Sequence, residues 1–209
     1  MTSLPSTPPD ADEPDEPREP DGGGTVPGPP LPLLGAPWSV RVARAEGDDI
    51  DLVHGWMRSP HIDAFWHQAW PRERWAEELA GHLSGDTVLP CLVHLAGRPL
   101  AYIEVYRVLR DRIAGHYPYH PHDLGVHIAI GEPSDTGKGL GRSLLRALAE
   151  GLLAADPACV RVVAEPDVDN APSLRAFSAA AFRLAGKITF PEKTAALLIH
   201  PRSEKDLPQ

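Results

Sequence analysis

Hydrophobic and polar positions along the chain repeat with two periods, and the changes between them divide it into elements. Residues 39–43 alternate as a first strand. Asp48, Asp49 and Ile50 then open a helix that runs through Leu52, Val53 and Trp56 and stops near Ser59 and Pro60. Pro71 stands where proline fits the start of a helix, and the spacing predicts that helix over 72–83. Two apolar stretches, 87–95 and 99–106, flank Ala96, Gly97 and Arg98 and read as a hairpin. Residues 124–130 form a mostly buried strand, apolar apart from Gly125 and His127, and 139–154 repeat Leu and Ala at helical spacing. A short strand over 159–164 ends at Pro166, a helix over 171–182 is capped by Asp169 or Asn170, and strands 184–190 and 194–200 close the pattern. The result is a mixed α/β sheet and not a doubly wound one.

Two stretches lack a clear period. Residues 61–70 concentrate aromatics and polar tips, with Trp66, Trp70 and Trp75 close together. They fit either a core anchor for a helical hairpin or a wall of a substrate pocket. Residues 107–122, rich in His, Tyr, Pro and Arg, read as a long loop of a length that usually has a task or is mobile. His116, His120 and His122 fall there, but no Cys or second carboxylate cluster stands at ligand spacing, so no metal is expected.

Composition changes the picture at the N-terminus. Residues 1–36 hold ten prolines, a run of three glycines and seven acids against one base. Such a segment buries too little apolar surface to offset chain entropy, so 1–37 is expected as a disordered acidic tail, with one domain over 38–203 and a polar end over 204–209. The tail carries -6 of the formal -9, which leaves the domain near neutral and without a basic footprint for nucleic acid. No apolar run approaches a membrane span, and an acidic, proline-rich start is the opposite of a signal peptide, so a cytoplasmic protein is expected. Cys91 and Cys159 both lie in apolar stretches and read as buried free thiols.

The candidate chemistry centres on 123–145. Between strand and helix lie Gly137, Gly139 and Gly141, which let the backbone approach an anion and aim N–H groups at it. Lys138 has no Ser or Thr after it, and the spacing lacks the dinucleotide pattern, which argues against both common nucleotide loops. His127 is either a satisfied core residue or a catalytic group titrating near neutrality. One face of the 99–106 strand presents Tyr102, Glu104 and Tyr106 together.

The loop resembles the Arg/Gln-x-x-Gly-x-Gly loop of the Gcn5-related acetyltransferases (GNAT), with Thr136 in the Arg/Gln position, then Gly139 and Gly141. From about Asp49 to Arg202 the chain is similar to the siderophore branch of that superfamily. That branch acylates N-hydroxylysine or N-hydroxydiamines to make hydroxamates, and within it the chain most resembles the acyltransferase of desferrioxamine assembly. The matching pieces are His54 to Met57, His61 to Asp63 with Phe65 and Trp66, Tyr102 to Tyr106, Asp123 to His127, Gly137 to Gly141, and Glu165 to Asp167 with Asn170.

The resemblance implies a GNAT fold with splayed central strands and an acyl-CoA co-substrate, either acetyl-CoA or succinyl-CoA. It implies pantetheine on the backbone of Ile128 and Ile130, and pyrophosphate on residues Gly137, Lys138, Gly139, Leu140, Gly141 and Arg142. Asn170 and Ser173 would reach the pantetheine or thiol. His127 would act on the attacking nitrogen with an acid partner, expected as Asp167, with Glu165 and Asp169 as rivals. His61, Trp66, Gln68, Trp70, Glu104 and Tyr106 are the expected acceptor residues, and Arg107, Arg110 or Arg112 would serve a carboxylated donor. Position 177 is Phe where many relatives carry a Tyr that protonates the leaving thiolate. The implied partners are a small hydroxylamine or amine substrate and, as functional neighbours, an amine monooxygenase and a siderophore synthetase. An aminoglycoside or other amine acetyltransferase is the rival enzyme, and a non-catalytic acyl-CoA-binding module is the rival of another class.

Overall fold

The computed structural model describes residues 26–207. Seven strands make one sheet in the order β1-β2-β3-β4-β5-β7-β6: β1 (Trp38–Val42), β2 (Val88–Leu95), β3 (Arg98–Arg107), β4 (Leu124–Ile130), β5 (Arg161–Ala164), β6 (Arg183–Thr189) and β7 (Thr194–Pro201). Every neighbouring pair is antiparallel except β4 with β5. Those two are paired only through Leu124 with Val162 and Gly125 with Val163. Beyond Gly125 they part, which leaves the second half of β4 without a neighbour on that side.

Helices cover both faces. On one, α1 (Asp48–Met57), α2 (Pro60–Trp66) and α3 (Arg72–Ser84) bury Ile50, Val53, Trp56, Met57, Ile62, Trp75 and Leu79 against Leu92, Tyr102 and Ala129. On the other, α4 (Leu140–Ala155) and α5 (Ala171–Ala179) pack Leu144, Leu145, Leu148, Leu152 and Phe177 against Val93, Ile103, Val105 and Val126. Tyr102 and Ile103 thus serve opposite faces, as strand alternation requires. Cys91 and Cys159 are buried free thiols, and burial pushes both up to about 12.

Three departures from the sequence pattern have physical causes. The stretch read as an irregular aromatic patch contains α2, which starts with Pro60 in its first turn; the proline that ends α1 also begins the next helix. The helix predicted over 171–182 ends at Ala179. Ala181 takes φ 70, and the Phe182 N–H returns to the Phe177 carbonyl, so an alanine fills a left-handed position that favours glycine.

The third departure is the N-terminal boundary. Residues 26–37, expected as part of the free tail, lie along the fold. The guanidinium of Arg107 is 1% exposed and donates to the carbonyls of Pro27, Gly28 and His122, while pairing with Asp156 at 2.7 Å. Arg110 donates to the Val26 carbonyl, and the Leu33 N–H donates to Gly151. A buried guanidinium needs acceptors for its donors, and this strap supplies them. The remainder of the expected tail, 1–25, lies outside the described residues.

The long 107–122 segment is pinned rather than loose. Two 3-10 turns, Val108–Arg110 and Arg112–His116, shape it, and the buried Asp123 accepts from the Tyr117 hydroxyl and the His120 N–H. Its histidines go to separate partners: His116 meets Phe190 edge-on and His122 bonds Asp156. Among the described residues no group of three or more His, Cys, Asp or Glu is placed to hold a metal ion, and no helix is long and apolar enough to cross a membrane.

Candidate active site

The β3–β4 register sets Glu104 directly opposite His127, Tyr102 opposite Ala129 and Tyr106 opposite Gly125. Residues 102, 104 and 106 share one strand face, so the two tyrosines flank the carboxylate. Gly125 is required here: a Cβ on it would come within 2.0 Å of the Tyr106 ring, which lies across the strand to reach Glu165 beyond the end of β5. The Tyr106 hydroxyl donates to Glu165 Oε2 at 2.8 Å, and the Tyr102 hydroxyl donates to Glu104 Oε1 at 2.9 Å.

His127 sits between the two carboxylates. Its Nδ1 is 3.0 Å from Glu104 Oε2 and its Nε2 is 2.8 Å from Glu165 Oε1. An ionised carboxylate only accepts hydrogen bonds, so both ring nitrogens must donate and the ring is an imidazolium. The charges agree with this geometry. Burial alone would lower the His127 pKa, but the Glu165 and Glu104 carboxylates outweigh burial and raise it to about 10. Burial would raise both carboxyl groups, yet His127 holds each well below the ordinary carboxylate range, with help from His82 at Glu104 and from Lys193 at Glu165. The His82 Nε2 lies 3.7 Å from Glu104 Oε1, and the Lys193 Nζ lies 3.8 Å from Glu165 Oε1 while donating to the Glu165 carbonyl.

This triad opens onto a cavity of about 410 Å³ in the gap where β4 and β5 part. One wall is Phe65, Trp66, His67 and Gln68; another is Val126, His127 and Ile128; a third runs from Ala164 to Asp167, with Asn170, Ser173 and Phe177 from α5. Trp66 meets the His127 ring edge-on at 6.0 Å. Gln68 Oε1, on the first of these walls, is buried with no hydrogen-bond partner among the described residues. The remaining rim is charged: Asp111 and Arg112 from the pinned segment, Glu192 and Lys193 from the β6–β7 turn.

The expected site residues divide by these positions. His127, Ile128, Trp66, Gln68, Glu104, Asn170 and Ser173 line the cavity, and Tyr106 backs it through Glu165. Asp167 lines it too, but the structure does not bring it to His127: its Oδ1 accepts the Asp169 N–H at 2.8 Å, closing the turn before α5. Glu165, two residues earlier, holds the partner position, because the residue just past β5 still follows the strand while Asp167 has turned away. Asn170 is occupied as the cap of α5, its Oδ1 accepting from the Ser173 N–H.

Trp70 and His61 stand outside the cavity lining. Trp70 packs on Trp75 and under the Arg74 guanidinium, and His61 Nε2 bonds the Ile130 carbonyl. The aromatic patch is therefore both of the things it suggested: Trp66 is pocket wall, Trp70 and Trp75 are anchor. Of the three arginines offered for a carboxylated donor, Arg107 and Arg110 are spent on the strap, and only Arg112 reaches the rim. Lys193 and Glu192 escaped the sequence reading, since nothing in a turn of Pro, Glu and Lys signals which pocket it closes.

The anion loop lies at the start of α4. Gly137 and Gly139 take φ 71 and 79, a left-handed turn that glycine adopts without strain, and Gly139 caps the helix with no side-chain acceptor in place. Lys138 and Arg142 are exposed beside it and make no ion pair within the described residues. Free helix N–H groups, the helix dipole and two cations make a site for a phosphate group. Ile130, at the far end of β4, offers its carbonyl to His61.

A splayed parallel pair, an anion loop opening the following helix and a charged histidine in the splay define an acyl-transfer fold that takes a phosphorylated thioester. Comparison with known proteins gives the family. Residues 46–190 match the acetyltransferase (GNAT) domain model, and the chain belongs to that family. It is 38% identical over 168 residues, 80% of this chain and 75% of the relative, to the lysine N-acyltransferase MbtK of Mycolicibacterium paratuberculosis. It is 31% identical to the N-hydroxyputrescine acetyltransferase of Acinetobacter baumannii, over 75% of this chain and 74% of that one. Among solved structures, aminoglycoside acetyltransferase AAC(6')-Ib in complex with coenzyme A and kanamycin superposes with a TM-score of 0.71 at 26% identity, covering 79% of this chain and 95% of that chain. The protein is an acyl-CoA N-acyltransferase.

Proposed function

We propose that this enzyme forms a hydroxamate by transferring an acyl group from acetyl-CoA or succinyl-CoA to an N-hydroxydiamine such as N-hydroxycadaverine, or to N6-hydroxylysine, in cytoplasmic siderophore biosynthesis. The observation that carries this reading is the imidazolium of His127 between Glu104 and Glu165. A plain amine or an aminoglycoside arrives largely as an ammonium ion and needs a free base at once. A hydroxylamine is already largely uncharged at neutral pH, so a site whose histidine rests protonated suits it better. Positioning then carries more of the rate than proton abstraction does.

In this reading acyl-CoA lies in the splay, with pantetheine on the backbone of Ile128 and pyrophosphate on residues 137–142. The acceptor nitrogen attacks the thioester carbon directly: the N–C bond forms, the C–S bond breaks, and no enzyme nucleophile intervenes. The proton lost by nitrogen enters the hydrogen-bonded pair of the Glu165 carboxylate and the His127 imidazolium, 2.8 Å apart, and the pair returns one to the departing thiolate. That route replaces the missing hydroxyl at position 177, where Phe177 lines the cavity. A strand N–H near Ile128 serves the oxyanion. An amine monooxygenase would supply such an acceptor and a siderophore synthetase would consume the product.

The test is thiol release with acetyl-CoA or succinyl-CoA against N-hydroxycadaverine, N6-hydroxylysine and kanamycin in competition. Hydroxamate formation with a hydroxylamine acceptor is expected; turnover of kanamycin alone, or of none of the three, refutes the reading.

A further inference from the structure

The cavity rim carries charges of both signs that the transfer chemistry does not use. Arg112 and Glu192 pair at 2.5 Å across the mouth, from two elements far apart in sequence, and each side chain is 51% exposed. The Arg112 guanidinium stacks on Phe190 with its carbon 4.1 Å from the ring centroid, which fixes its direction. Lys193, the neighbour of Glu192, reaches inward to the Glu165 carbonyl, so the same turn places one cation beside the triad and one acid at the mouth. Asp111 adds a second acid, with one oxygen held by the Ile113 N–H.

We propose that Arg112 and Glu192, with Lys193 behind them, form a subsite that reads the end of the acceptor remote from the reacting nitrogen, and that it selects an α-amino-acid head group, carboxylate plus ammonium. This rests on the hydroxamate reading and chooses between its two acceptors. A diamine acceptor ends in a lone ammonium and brings no carboxylate for Arg112 to take in place of Glu192. An amino-acid head matches both signs: its carboxylate takes the fork of Arg112 and its ammonium takes Glu192. Opening a half-exposed ion pair to admit such a head costs little, because water already screens it. The reacting nitrogen and the carboxyl carbon of N6-hydroxylysine are roughly 7 Å apart when extended, and His127, Lys193 and Arg112 line one cavity. A carboxylated donor such as succinyl-CoA would use a cation but would leave Glu192 and Asp111 facing it, which disfavours that assignment.

Steady-state kinetics with acetyl-CoA as donor distinguish the outcomes, comparing N6-hydroxylysine with N-hydroxycadaverine on the wild type, Arg112→Gln and Glu192→Gln. The wild type is expected to favour N6-hydroxylysine; Arg112→Gln is expected to raise KM for it by about tenfold while leaving N-hydroxycadaverine within about twofold, and Glu192→Gln to raise KM for both, because both carry an ammonium at the same distance from the reacting nitrogen. Equal loss on both acceptors in Arg112→Gln overturns the proposal by making the pair a structural clamp. A loss seen only when succinyl-CoA replaces acetyl-CoA overturns it by assigning the cations to the donor. Turnover of both acceptors with equal kcat/KM in the wild type overturns the subsite while the hydroxamate reading stands; turnover of neither removes both.

Discussion

Glu104 and His127 face each other across the β3–β4 ladder, with 3.0 Å between Oε2 and Nδ1, and Glu165 closes on the other ring nitrogen. The histidine is thereby committed as a cation before any substrate arrives. Its pKa is raised to about 10, so the protonated ring stabilises the fold fully below its unfolded pKa of about 6.5, and this contribution is lost as pH rises through the folded value. The two depressed carboxylates behave oppositely, stabilising above their unfolded pKa and failing only as pH falls through their folded values. NMR titration of the His127 ring is expected to show no midpoint between pH 5 and 8. Glu104→Gln is expected to bring the midpoint back toward neutrality. A wild-type midpoint near 6.5 overturns the imidazolium assignment.

Glu165 and Asp167 separate the acid that touches His127 from one that shapes the neighbouring turn. Glu165→Gln removes a charge that stabilises the imidazolium and takes the carboxylate out of the proposed proton route. It is expected to lower kcat by about 100-fold or more, with little change in KM for acyl-CoA. Asp167→Asn keeps an oxygen to accept the Asp169 N–H and is expected to stay within about threefold of wild type. Steady-state kinetics on both variants check this; the reverse ranking would return the partner role to Asp167.

The strand pattern was legible because period two and period 3.6 report which face is buried, and β2, β3, β4 and α4 are built on such faces. The face shared by Tyr102, Glu104 and Tyr106 could be read from parity alone. The partner of His127 could not. Glu165 and Asp167 have the same chemistry two residues apart, and only the point at which the chain leaves β5 distinguishes them. Contacts such as Arg112 with Glu192, or Arg107 with the Pro27 and Gly28 carbonyls, join positions about 80 residues apart and leave no local periodic trace. The composition of 26–37 misled for the same reason: proline and glycine predict chain that cannot form its own core, but not chain that borrows a surface.

The anion loop gives a prediction that separates binding from chemistry. Lys138 and Arg142 flank the free N–H groups at the start of α4 and touch neither His127 nor Glu165. Lys138→Ala and Arg142→Ala are each expected to raise KM for acyl-CoA by about three- to tenfold, with kcat unchanged and the effect shrinking at high salt. Gly139→Val forces a β-branched residue to φ 79 and is expected to raise that KM further and to lower stability. A variant that loses kcat at saturating acyl-CoA would place the loop in the chemical step instead.

The strap from 26 to 37 gives a stability prediction independent of catalysis. Arg107 is wholly buried, and its donors are divided among Asp156, His122 and the carbonyls of Pro27 and Gly28. Removing residues 1–25 takes away none of these acceptors and is expected to leave the melting temperature and rate unchanged. Removing residues 1–36 strips two acceptors from a buried guanidinium, bares the groove where Leu33 lies against Gly151, and is expected to cost about 3 kcal/mol or more. In a domain of this size that loss lowers the melting temperature by roughly 6–12 °C. Arg107→Met in the 36-residue truncation discriminates the cause. If the stranded charge is responsible, the substitution recovers part of the loss, whereas a strap acting only through apolar cover predicts that it deepens the loss.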